Sequence, residues 1–145
     1  MLKIFLDADV LMASAASSGP NSAGQVLLSL SEITLIEAIT SELIVEECER
    51  NIPTVFERSD DVLRTFRKIL RRALDVVDRP TPERVRVYQP YAAWSDAPHL
   101  ACASEHACRY RVTYNLSDYD PSDLDIEVAE PGPVVRRVRT KLAAL

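Results

Sequence analysis

The chain opens with apolar residues that alternate around Lys3 and then run unbroken to Asp7, which predicts a buried strand over residues 2–6. Residues 10–16 are apolar and small, enough for a turn or two of helix that Gly19-Pro20 would end. Asn21 or Ser22 can cap a helix to about residue 31 that turns Val26, Leu27 and Leu30 inward, and the apolar stretch 33–39 reads as a second strand. Ser41 begins a helix to about Asn51, with Pro53 closing it. The strongest helical periodicity follows: Leu63, Phe66, Ile69, Leu70, Ala73 and Leu74 keep one face after a start at Ser59. Val76-Val77 suggests a short strand, and Pro82 starts an element through Val87. A helix from Ser95-Asp96 to Ala107, a strand over 110–113, an acidic loop over 114–125, a short strand over 126–128 and an amphipathic helix over 131–145 complete the chain.

Strands alternating with helices of this length predict one α/β domain over residues 1–145, a central, mostly parallel sheet with helices on both faces. No repeat or linker interrupts it. With 145 residues, 47% hydrophobic and 27% charged, the chain is long enough to build a core without staples. No apolar run reaches the roughly 20 residues of a membrane span, and MLKIFLDADV places an acidic pair where a signal peptide needs apolar residues. The expected location is the cytoplasm. Cys48, Cys102 and Cys108 form neither an even set nor a CxxC pair, so disulfide frameworks and zinc ribbons are not indicated.

The 17 basic and 22 acidic residues leave a net charge of −5, which argues against coating nucleic acid by bulk charge. The distribution is uneven: Arg64, Arg67, Lys68, Arg71 and Arg72 fall at i, i+3, i+4, i+7 and i+8. They form a basic stripe opposite the apolar one, read either as a solvated face or as a track for RNA phosphates.

Ligands of open α/β sheets bind beyond the carboxyl ends of the strands. Asp7 ends the first strand, and Asn115 and Asp118 follow the strand over 110–113, so these groups converge if the two strands are neighbours. Asp96 starts the intervening helix, where capping alone would also explain it. Glu47, next to Cys48 and three residues after Ile44, falls on or beside the apolar face of its helix, whereas Glu46 and Glu49 point elsewhere. An inward acid is costly unless paired. No inward Lys or Arg is evident, so a divalent cation with oxygen ligands is the expected partner, suited to phosphodiester hydrolysis.

In order and spacing, IFLDADVL, SELIVEEC, SDAPHLACASEH and RVTYNLSDYDP resemble the PIN-domain ribonucleases, and among them the VapC-like toxins of toxin–antitoxin pairs. The resemblance spans nearly the whole chain and is weakest between Asn51 and Tyr91. It implies a metal-dependent endoribonuclease using Mg²⁺ or Mn²⁺, with Asp7, Glu47, Asp96 and Asp118 as catalytic metal ligands and Thr113 and Asn115 lining the site. It further implies an RNA substrate, an antitoxin partner and a homodimer, with 5′-phosphate and 3′-hydroxyl products. The family often carries Asp where this chain has Asn115, which removes one negative charge and with it support for a second ion.

Other features read more plainly. Asp9 is expected to face solvent or cap a helix. His99, Cys102 and His106 share a helical face but lack a fourth zinc ligand, so packing is the expected role. Tyr91, Trp94 and Tyr114 are candidates for base stacking or for the core. Two other functions compete with the nuclease: a non-catalytic RNA- or protein-binding module with a weakened site, and a haloacid-dehalogenase-like phosphatase using Asp7 and Asp9. The second lacks the motif's Thr or Val at position 11, and the only lysines are Lys3, Lys68 and Lys141.

Overall fold

A computed structural model of the chain describes residues 1–17, 22–116 and 124–145. Gly19-Pro20, expected to end the first helix, and Asp118, expected in the site, lie outside the described residues. The strands are β1 (Lys3–Leu6), β2 (Glu37–Ser41), β3 (Asp75–Val77), β4 (Tyr110–Val112) and β5 (Glu127–Ala129). They form one sheet in the order β3-β2-β1-β4-β5, parallel at every pairing. The helices among the described residues are α1 (Ala8–Ala16), α2 (Ala23–Glu32), α3 (Glu42–Val55), α4 (Ser59–Ala73), α5 (Pro82–Tyr88), α6 (Ala97–Glu105) and α7 (Pro131–Ala143). None is long and apolar enough to cross a membrane.

Successive strand residues point to opposite faces, and Ile4, Phe5 and Leu6 are all fully buried, so both faces of β1 are covered. Among the helices, α1 to α4 pack on one another with α7 against α2, α5 packs on α6, and α2, α3, α6 and α7 contact the neighbouring strands β2 and β4. The α/β class expected from the alternation is the class observed.

Local chemistry explains most boundaries. Ser22 Oγ accepts from the Gln25 N–H and Ser41 Oγ from the Ile44 N–H, each satisfying a donor at a helix start. The strand expected over 33–39 begins only at Glu37. Ile33 and Leu35 instead close α2: their N–H groups donate to Ser29 and Leu30 carbonyls, and Thr34 takes a left-handed φ of 64°. A short apolar run does not by itself separate strand from helix end, and here backbone bonding claimed it for the helix. Pro53 does not stop α3, which continues to Val55; in the last turn its missing N–H costs one backbone bond.

The chain builds outward from β1 to β2 and β3 on one side, then returns to place β4 and β5 on the other. The reversal lies between β1 and β4, the place where such sheets open a crevice at their carboxyl ends.

Candidate metal centre at the carboxyl ends of β1 and β4

Leu6 is in register with Val112, and the Asp7 N–H donates to the Val112 carbonyl at 3.0 Å, so Asp7 and Thr113 leave the sheet side by side. Thr40 Oγ1, fully buried, donates to the Leu6 carbonyl and ties β2 to the same edge. Asp7 is the N-cap of α1, its Oδ1 accepting from the Ala8 N–H at 2.8 Å.

The residue that sequence reading missed is Arg111. It lies mid-strand in β4, with its side chain fully inaccessible, its guanidinium 4.9 Å from the centre of the Phe5 ring and its Nη2 2.8 Å from Asp7 Oδ2. The expectation that no cation faces inward is therefore corrected. The available signal was a charge between Tyr110 and Val112 on a strand of a parallel sheet, where neither face offers solvent. Burial acts to raise the Asp7 carboxyl, but Arg111 foremost, with His99, the Ala8 amide and Thr113, outweighs it and holds the group below the usual carboxylate range.

Glu47 approaches from α3. Ile44, Cys48 and Ile52 form the buried line of that helix, and Glu47 sits beside it, half-buried. Glu46 points away and pairs with Arg79, as does Glu42. Burial raises the Glu47 carboxyl, and the nearby charges of Asp7 and Asp96 raise it further. Asp96 occupies the N-cap position of α6 but makes no side-chain capping bond, so capping does not account for it.

From the same helix comes His99, 9% exposed. Expected to serve packing, it is buried but lies beside the carboxylates: one nitrogen of His99 and one oxygen each of Asp7 and Glu47 all lie within 4.8 Å of one another. Its Nδ1 is buried without a hydrogen-bond partner. Desolvation, reinforced by Arg111, pushes the imidazole down to about 4, so it is neutral at neutral pH. Two acids and a neutral imidazole on three elements form a donor set that fits a divalent cation. Cys102 is buried further along α6, with its thiol pushed up to about 11 by burial.

Asp9 does not face open solvent. It accepts from Thr113 Oγ1 at 3.1 Å, from the Tyr114 N–H at 2.9 Å and from the Val10 N–H at 2.7 Å, clamping the start of α1 to the segment after β4. Burial and the charge of Asp7 nonetheless raise its carboxyl. Thr113 is fully buried, and its Oγ1 also accepts from the Asn115 N–H at 3.1 Å. Asn115 itself is exposed, as are Trp94 at 80% and Tyr114 at 48%, while Tyr91 packs partly against the core. Arg64, Arg67, Lys68 and Arg71 are exposed along α4 and take no part in the cluster of acids.

No curated protein matches the sequence significantly. Among solved structures, PAE2754 from Pyrobaculum aerophilum superposes with a TM-score of 0.69 at 14% identity, covering 96% of each chain. VapBC2 from Rickettsia felis, bound to a DNA fragment from its promoter, gives 0.64 at 11% identity over 88% of this chain and 97% of that one. VapC20 from Mycobacterium tuberculosis, a toxin that cleaves the sarcin–ricin loop, gives 0.51 at 13% identity over 74% and 86%. At these identities the likeness is one of fold. The PIN domain profile matches residues 3–117, from the first strand to the segment beyond Asn115, and the chain belongs to the PIN-domain family.

Proposed function

We propose that the chain is a divalent-metal-dependent endoribonuclease, the toxin of a VapC-like toxin–antitoxin pair. The observation that carries this reading is the convergence of Asp7 and Glu47 from separate elements at the switch point of the sheet, with Asp96 close enough to raise Glu47. Asp7, Glu47 and Asp96 would hold the ion, joined by Asp118. When bound, a divalent ion supplies Lewis acidity toward the phosphodiester and lowers the pKa of water.

The chain's own residues do the rest. Arg111 fixes the Asp7 carboxylate in one orientation and cancels part of the charge that the acids would otherwise impose on one another. Asp9 holds Thr113 and the Tyr114 amide, and so sets where Asn115 presents its amide to substrate. The exposed Trp94 and Tyr114 rings offer stacking surfaces for an unpaired base. The basic stripe Arg64, Arg67, Lys68 and Arg71 attracts RNA phosphates, and hydrolysis leaves 5′-phosphate and 3′-hydroxyl ends. Asn115 and the Arg111–Asp7 pair both reduce negative charge, which favours one ion over two. The ion is Mg²⁺ or Mn²⁺, the setting cytoplasmic, the active form a homodimer and the inhibitor an antitoxin protein.

The phosphatase reading loses its general acid, because both Asp9 oxygens are engaged by Thr113 and by the Val10 and Tyr114 amides. The non-catalytic module retains one supporting observation, the ion pair that already engages Asp7. Cleavage of end-labelled RNAs by wild type and Asp96→Asn, each in Mg²⁺, Mn²⁺ or EDTA, separates it from the nuclease. The nuclease requires cutting that EDTA abolishes and that Asp96→Asn lowers about 100-fold or more, with the circular dichroism spectrum unchanged. RNA binding without cleavage in any metal would establish the module instead.

A further inference from the structure

His99 is a buried group of the centre that the acids alone do not account for. Asp7 accepts from Arg111 and Ala8, and Glu47 keeps partial access to solvent, but His99 is nine-tenths buried with an unpartnered Nδ1. A neutral imidazole carries one donor and one acceptor nitrogen. One of its nitrogens lies within 4.8 Å of an oxygen of Asp7 and of Glu47, and its Nδ1 has no hydrogen-bond partner. A ring nitrogen beside two carboxylates is placed to give its lone pair to a cation held between them. The Pro98–His99 segment forms the first turn of α6 immediately after Asp96, so one helix start would deliver both an oxygen and a nitrogen donor.

The geometry points to His99 as a nitrogen ligand of the metal in this chain, making the centre a mixed carboxylate–imidazole site that selects a first-row transition ion such as Mn²⁺ over Mg²⁺. This rests on the proposed reading that a divalent ion is held here, and adds the identity of the ligand and the class of ion. Mg²⁺ prefers oxygen and gives up its waters reluctantly, whereas imidazole strengthens binding of the later divalent ions.

The test loads wild type, His99→Gln and His106→Gln with Mn²⁺ and reads ¹⁴N coupling to the ion by pulsed electron paramagnetic resonance, with Mn²⁺ and Mg²⁺ affinities from calorimetry. The inference requires ¹⁴N modulation in wild type and His106→Gln that disappears in His99→Gln. The preference for Mn²⁺ over Mg²⁺ should fall at least about tenfold in His99→Gln. If His99→Gln does not fold, modulation in wild type that survives in His106→Gln identifies the ligand, because no third histidine exists. Mn²⁺ binding with no ¹⁴N modulation, or modulation that persists in folded His99→Gln, overturns the inference and leaves the metal-dependent nuclease standing. No binding of Mn²⁺ overturns both.

Discussion

At the carboxyl ends of β1 and β4, Arg111 is fully buried 2.8 Å from Asp7, while on α4 Arg64, Arg67, Lys68, Arg71 and Arg72 are all exposed. Of these five, only Arg64 joins an ion pair among the described residues, with Asp61 one turn earlier on the same helix. The two regions carry the same kind of charge under opposite conditions. A buried guanidinium without its carboxylate would be left uncompensated in a medium that solvates it poorly, so Arg111 and Asp7 hold each other in place. An exposed cation on a helix is stabilised by water, adds little to folding and stays available to a mobile phosphate. Position in the sheet therefore makes one set of charges rigid and the other interchangeable.

The sharpest way to break this contrast is Arg111→Met, which keeps the bulk of the side chain and removes the charge. Urea denaturation in EDTA should show a loss of about 3–5 kcal/mol, because Asp7 is left with its burial and without its counter-charge. Adding Asp7→Asn to that variant should recover part of the loss. A cost below about 1 kcal/mol would place the pair among ordinary surface ion pairs.

The next largest effect is a dependence on pH. The His99 imidazole is held down at about 4 in the fold, against an ordinary value of 6.5. Between those values the unfolded chain binds a proton that the native one does not, so stability contributed by neutral His99 falls as pH drops from 6.5 toward 4. Glu47 and Asp9, both raised, act in the opposite sense, losing stability as pH rises. The difference between wild type and His99→Gln, followed by thermal melts in EDTA, isolates the imidazole and should change by on the order of 2–3 kcal/mol across the window. A difference that is flat with pH would mean that the buried ring titrates normally.

The smallest stability effect belongs to α4. Replacing Arg67 and Lys68 with Gln should move folding by no more than about 0.5 kcal/mol. Affinity for single-stranded RNA should fall, and the slope of log affinity against log salt should flatten by about 0.7 for each phosphate that is no longer neutralised. An unchanged slope would make the stripe a solvated face and nothing more.

Much of the centre was legible residue by residue. Helix facing favoured Glu47 over Glu46, strand position marked Asp7, and the resemblance to the PIN-domain family singled out Asp96; the structure sets Asp7 and Glu47 within reach of one another and Asp96 near enough to raise Glu47. The strand expected over 33–39 was displaced because the same apolar residues served equally well as a helix end. Arg111 and His99 escaped for a related reason. A strand or helix pattern shows that a side chain faces inward but not which distant side chain it meets, and the usual assumption that inward means apolar hid one ion pair and one candidate ligand. Asp9 escaped because its partners, Thr113 and Tyr114, lie more than a hundred residues away.

The amino-acid sequence by itself determined the alternation of strands and helices, the caps at Ser22 and Ser41 and the acids at element ends, because each depends on a few neighbouring residues and on local hydrogen bonding. Only the tertiary structure decided that β4 lies against β1, and so that Asp7 meets Arg111, that Asp9 clamps Thr113 and that His99 faces Glu47. Those meetings depend on which strands pair across the switch point, a choice made by burying both faces of the whole sheet at once rather than by any short stretch of chain.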